Sequence, residues 1–157
     1  MAKILVPMDF SKEAYLALDW ALKLAGADHG SALYLVHVRP VVPDMERDHE
    51  ILQDLKRRMT DLRSTFLNDI PFIVVYREGR ICDQIADICR QELIDMVIMT
   101  TRGRLGAARE LEGSVTEETV RVAPCPVLVL HLNQSTVDKV RQRFDSFIPH
   151  EDDGVAL

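Results

Sequence analysis

No apolar run in this 157-residue chain approaches the roughly 18 residues that a membrane-crossing helix needs. The opening MAKILVPMDF holds one lysine and a short apolar stretch that already reads as a strand. It is too short for a signal peptide, so a cytoplasmic setting is expected. Cysteine is scarce. Cys82, Cys89 and Cys125 are odd in number and form no C-x-x-C pair. That excludes a disulfide framework or a zinc site and points to buried free thiols in a reducing compartment. Positive charge is also short: 19 Lys and Arg against 25 Asp and Glu leave a net charge of -6, which argues against nucleic acid as a partner. The chain has no GxxxxGK[ST] loop, no GxGxxG after its first strand and no GxSxG elbow. Its histidines, His29, His37, His49, His131 and His150, show no ligand spacing, and His37 reads as a satisfied core residue inside an apolar strand. No catalytic residue or metal-ligand set is nominated.

What the chain does have is an ordinary globular composition, 47% hydrophobic and 28% charged, at a length that suits one domain and one core. Lys3 to Pro7 reads as a buried strand. Ala14, Leu18, Ala21 and Ala25 then recur at helical spacing, with Ser11 available as cap and Gly26 and Gly30 at the end. Ser31 to Val38 is apolar on almost every residue, as a strand covered on both faces should be. Ile51, Leu55, Met59, Leu62 and Phe66 form the stripe of a second helix, with Asp54, Arg57, Arg58 and Asp61 on its polar side. Phe72 to Tyr76 gives a third strand, Ile81, Ile85 and Ile88 a third helix, and Asp95 to Met99 a fourth strand. A short helix near Ser114 and a fifth strand over Pro126 to His131 follow.

The order β-α-β-α-β-α-β-α-β predicts an α/β fold, a single open five-stranded parallel sheet with helices on both faces. Ligands of such sheets bind at the carboxyl ends of the strands where strand order reverses, here just after Pro7, Val38 and Met99. Beyond the fifth strand, Val137, Val140, Phe144 and Phe147 repeat at helical spacing. They predict a short amphipathic helix over about 136–148 that folds back on its own domain or meets a partner, with a loose acidic tail behind it. The division expected is a domain over 1–132 and an extension over 133–157.

The stretch that carries chemistry runs from Thr100 to Thr116. Gly103 permits a tight turn out of the fourth strand, and Gly113 permits close approach of the backbone to a phosphate. Ser114 precedes a predicted helix and Glu117 stands three residues later, which makes a capping box. The first turn of that helix offers backbone N–H groups and a positive dipole end, both of which stabilise an anion. Ser114 and Thr116 add hydroxyl donors, while Arg102, Arg104 and Arg109 add charge. The same residues also suit a plainly capped helix behind a solvated loop. Asp9 has two readings as well: it accepts hydrogen bonds from a ribose hydroxyl or helps hold a metal, or it caps the first helix. Pro7, Met8 and Val38 suit a flat apolar slot of the kind an adenine ring fills.

These residues resemble the universal stress protein family over about residues 1–132. KILVPMDFS resembles the family's first strand, LYLVHV its second, and Gly79 falls where the family has glycine. GRLGAARELEGSVTEETVRVAPCPVLVL resembles its closing motif, G-x-x-G, nine residues, then G and S or T, with Gly103, Gly113 and Ser114 in place. The resemblance implies a Rossmann-like fold of the adenine nucleotide alpha hydrolase type that binds ATP, or AMP or ADP, with Mg2+ bridging the phosphates as an option. It implies base and ribose contacts from Pro7, Met8, Asp9, Val38 and Met99, and phosphate contacts from Thr100, Gly103, Gly113, Ser114, Val115 and Thr116. It also implies a homodimer through the fifth strand, Val127 to Leu130, and a stress-response or regulatory role with at most slow ATP hydrolysis. The chain departs from the motif at Thr100, where the family has glycine. Two rivals follow: a nucleotide-free dimeric interaction protein whose pocket Thr100 closes, and an enzyme on the same fold.

Overall fold

The computed structural model describes residues 2–27, 30–39, 41, 53–54, 56–58, 60–62, 64, 70–101, 115–131 and 133–145. Five strands are formed: β1 (Lys3–Pro7), β2 (Ala32–Arg39), β3 (Phe72–Glu78), β4 (Met96–Thr100) and β5 (Val127–Leu130). Helices α1 (Lys12–Ala27), α2 (Ile81–Glu92), α3 (Val115–Val122) and α4 (Gln134–Phe144) accompany them, and the described residues between 53 and 64 are helical as well. All neighbouring strands pair parallel in the order β3-β2-β1-β4-β5. β1 is central, with Leu5 opposite both Tyr34 and Val97. The chain leaves β1 toward β2 on one side and returns to β4 on the other, so the reversal of strand order lies between β1 and β4.

Alternation along each strand sends side chains to opposite faces, and both faces are covered. Ile4, Val6, Leu33, Leu35 and Ile98 pack on one face with Leu18, Ala21 and Leu22 of α1, with Leu62, and with Val140 and Phe144 of α4. Leu5, Tyr34, Val36, Val97 and Met99 pack on the other with Ile85, Ile88 and Cys89 of α2. Two buried faces explain why the strands read as unbroken apolar runs. The fold is the open α/β sheet expected from the element order. The strand ends differ by a residue or two: β2 begins at Ala32 and β4 reaches Thr100. On the helical residues between 53 and 64, Asp54 bridges Arg57 at 2.5 Å and Arg58 at 2.8 Å, i,i+3 and i,i+4 pairs on the polar side. Its counterpart Leu62 is fully buried.

The helix beyond β5 folds back on its own domain. Asn133 caps it by accepting the Thr136 N–H at 2.9 Å. Val140 and Phe144 are buried against α1, the Phe144 ring lies 5.2 Å from that of Tyr15, and Arg143 pairs with the buried Asp19. Asp19 also holds Lys23 at 2.5 Å. Phe147 and the acidic tail lie outside the described residues. All three thiols are free; Cys82 and Cys89 are buried as expected, whereas Cys125 is only partly so.

Candidate functional site

Three strand ends converge where strand order reverses. β1 stops at Pro7, which has no N–H for a further ladder bond, and Met8 makes one last bond to the Val36 carbonyl at 2.8 Å. Phe10 then adopts a left-handed backbone, φ 61°, while almost wholly buried. A bulky residue in that region stores strain of order 1–3 kcal/mol, held here by its packing. Its ring lies 5.8 Å from that of His37, and the Arg58 guanidinium sits 5.9 Å away. This turn leaves Asp9 on the wall of a cleft and starts α1 two residues later. His37 is half-buried and satisfied, its Nδ1 2.6 Å from the Met8 carbonyl.

The cap of α1 is Ser11, whose Oγ accepts the Ala14 N–H at 3.2 Å. Asp9 is therefore not the helix cap. Its Oδ1 instead accepts the Ser11 N–H at 3.0 Å and the Ser11 hydroxyl at 2.5 Å. On the far side, α3 begins at Val115, and the buried Thr116 sends its hydroxyl proton to the Thr100 carbonyl at 3.1 Å. That bond engages the hydroxyl that the sequence offers to a phosphate as a donor. The buried Thr101 lies 3.3 Å from His131 Nδ1, and its N–H bonds to the Leu130 carbonyl at 3.1 Å, fixing the last turn of β4 against β5.

Helix α2 supplies the third wall. It follows Gly79, whose φ of 129° favours glycine and where a Cβ would press on Gln84 at 3.3 Å. α2 is tied to α3 through Glu118, which accepts the Cys82 thiol at 3.1 Å and bridges Arg80 at 2.9 Å. These two partners hold the Glu118 carboxyl below its usual range, the thiol contributing first. Burial, followed by that same bond, pushes the Cys82 thiol up.

The walls enclose a cavity of about 490 Å3. Pro7, Met8, Asp9, Val38, Met99, Thr100, Val115 and Thr116 all line it, although they come from four separate parts of the chain. Gly103, Gly113 and Ser114 lie outside the described residues. Sequence reasoning missed Ser11, Glu13, Ala14, Ala17, Val36, Ile81 and Thr101 on the same wall. The small residues Ala14 and Ala17, one turn apart at the start of α1, were the available signal, because they leave room beside the strand ends.

Residues 1–131 match the model of the universal stress protein family. The chain belongs to that family. A universal stress protein of Thermus aquaticus is 34% identical over 134 residues, covering 81% of this chain and 96% of the relative. One of Methanothermobacter thermautotrophicus is 33% identical over 82 residues, 52% of this chain and 53% of the relative. Among solved structures, MJ0577 of Methanocaldococcus jannaschii superposes with a TM-score of 0.65 at 26% identity, covering 84% of this chain and 96% of that one. A universal stress protein family protein of Arabidopsis thaliana with AMP bound has a TM-score of 0.64 at 16% identity, covering 86% and 94%. A universal stress protein in complex with cAMP has 0.59 at 21%, covering 83% and 96%. Within this universal stress protein the cleft lies where ligands of open α/β sheets bind, at the carboxyl edge beside the reversal of strand order. Among the described residues, no helix is long and apolar enough to cross a membrane.

Proposed function

We propose that this universal stress protein binds an adenine nucleotide in the cavity between β1, β2, β4 and α3 and serves as a regulatory module in the cytoplasm. The observation that carries the reading is the joint wall itself. Met8, Val36, Val38 and Met99 offer an apolar slot for a purine, and Asp9 stands at its rim as an acceptor for ribose hydroxyls. The first turn of α3 opens on the same space, where its backbone N–H groups suit a phosphate. The AMP and cAMP complexes of structural neighbours support the ligand class. The cavity stays open beside Thr100, which favours this reading over a pocket closed by that side chain.

ATP is within the ligand class, and a divalent cation would then arrive with its phosphates. The described residues hold no group of three or more ligating side chains, and Mg2+ commonly uses one or two carboxylates and keeps its waters. Hydrolysis, if any, is slow in this reading. Thr101 lines the cavity, and its hydroxyl lies 3.3 Å from His131 Nδ1. The protein pairs as a homodimer through β5, which is an edge strand with Leu128 36% exposed and gains cover from a second copy.

Calorimetric titration of nucleotide-stripped protein with AMP, and with ATP and magnesium, tests the reading. Saturable heat that disappears in Val38→Trp, which fills the slot, supports it. No heat from folded wild-type protein with either ligand overturns it.

A further inference from the structure

Cys89 of α2 and Cys125, in the turn that leads into β5, lie far apart in the chain and meet on one face of the sheet. Cys89 belongs to the buried cluster that holds Ile94, Val97 and Met99, and Cys125 packs against that same cluster. Two backbone bonds anchor them there. The Val97 N–H donates to the Pro126 carbonyl at 3.0 Å, which fixes the turn to β4 one residue after Cys125. The Cys89 carbonyl accepts the Ile94 N–H at 3.0 Å, which fixes the end of α2 just before the same strand. Pro124 and Pro126 flank Cys125 and restrict its backbone from both sides. The Cys89 thiol donates a hydrogen bond to the Cys125 sulfur, so the two side chains already touch.

The two thiols differ in access. Cys89 is buried, whereas Cys125 is only half-buried and open to a small solute. Burial, then the neighbouring Cys125, keeps Cys89 in its protonated form, which is a poor target for direct oxidation. Cys82 is engaged elsewhere, with its thiol on Glu118 at 3.1 Å. We propose that Cys89 and Cys125 are a peroxide-sensitive dithiol in which Cys125 is oxidised first and Cys89 closes an intramolecular disulfide. The Cys125 sulfur attacks one oxygen of hydrogen peroxide; an S–O bond forms as the O–O bond breaks, and the thiol proton leaves with the departing hydroxide as water. The Cys89 sulfur then attacks the sulfenic sulfur; the S–S bond forms as the S–O bond breaks, and the hydroxyl departs with the Cys89 proton as a second water. Two thiols give up two electrons and one peroxide takes them. The bond staples α2 to the entry of β5. This inference stands independently of the nucleotide reading.

The experiment treats folded protein with hydrogen peroxide, then denatures, alkylates with iodoacetamide and digests with trypsin. All three thiols alkylate before treatment. After it Cys82 alone does, and the peptide Val122–Lys139 is joined to Ile81–Arg90 through Cys89, as fragmentation of the joined pair reads out. Dithiothreitol restores both thiols. In Cys89→Ser the sulfenic acid stays on Cys125, where dimedone labels it, and in Cys125→Ser residue Cys89 remains alkylable. Circular dichroism establishes that each variant is folded, and the wild-type peptide map decides alone for one that is not. A disulfide between two copies of the chain, a bond to Cys82, or oxidation that leaves Cys89 and Cys125 unjoined in the wild type overturns the inference.

Discussion

Phe144→Ala tests whether the helix beyond the family domain is part of the folded core in solution. The Phe144 side chain has no exposed surface and stacks on Tyr15 of α1 with ring centroids 5.2 Å apart. Buried Phe→Ala substitutions cost about 3–5 kcal/mol, combining lost transfer free energy with the cavity left behind. α4 lies at the edge of the core and can settle toward α1, so the lower end applies, about 3 kcal/mol. Against a total stability of about 5–15 kcal/mol this is a large loss, and it lowers Tm by on the order of 10 °C for a chain of this size. Urea denaturation followed by Trp20 fluorescence reads it directly, because this single tryptophan sits on α1 next to Asp19, the partner of Arg143. Phe144→Leu, which keeps most of the volume, gives an intermediate midpoint. A loss below about 1 kcal/mol at unchanged slope would refute the reasoning: α4 would then not rest on α1, and its apolar stripe would belong to another surface.

Three further outcomes follow from the same contacts. Burial pushes the Cys89 thiol up to about 12, and nearby Cys125 adds to the shift. A folded value above the unfolded one gives stability that is complete below about pH 8.5 and is lost as pH rises toward the folded value. Urea midpoints therefore fall between pH 8 and pH 10, by up to about 1.4 kcal/mol per unit from this group, and Cys89→Ala flattens the decline. Ser11→Ala removes the α1 cap at 3.2 Å and one partner of Asp9, costing about 1 kcal/mol in thermal unfolding; no measurable change would mean that another group caps the helix. Leu128→Arg on the edge strand β5 converts the proposed dimer to monomer in light scattering after gel filtration, and an unaltered mass would place the interface elsewhere.

The fold was legible because its signals are local and repeat. A strand covered on both faces shows as an apolar run, as from Ala32 to Val36, and a helix on one face shows as a stripe such as Ile81, Ile85 and Ile88. Alternating the two leaves few topologies, since parallel crossovers are right-handed and open sheets place their ligands at the carboxyl edge. The docking of α4 was not legible. Its stripe announced an apolar face without saying what covers it, and the decisive partners, Tyr15 and Asp19, lie more than a hundred residues earlier in the chain.

The lining of the cleft was legible in part, and its hydrogen bonding was not. Pro7, Asp9, Val38 and Met99 stand at strand ends, so the element order alone brings them to one cleft. The direction of a hydrogen bond has no comparable signal. The hydroxyl of Thr116 reads as open to a ligand, whereas the β4 terminus brings the Thr100 carbonyl within 3.1 Å of it; Asp9 reads either as a ribose or metal contact or as a cap, and Ser11 holds the cap position that the sequence also offered it. The left-handed turn at Phe10 is hidden for the same reason, because nothing in the triplet Asp9-Phe10-Ser11 favours positive φ and only burial beneath the β1–α1 corner imposes it. Glu13, an unremarkable first-turn acid in the sequence, also lines the cavity. Part of the lining of a cleft on this fold follows from strand ends; the direction of its hydrogen bonds depends on tertiary contacts such as those of Ser11 and Thr116.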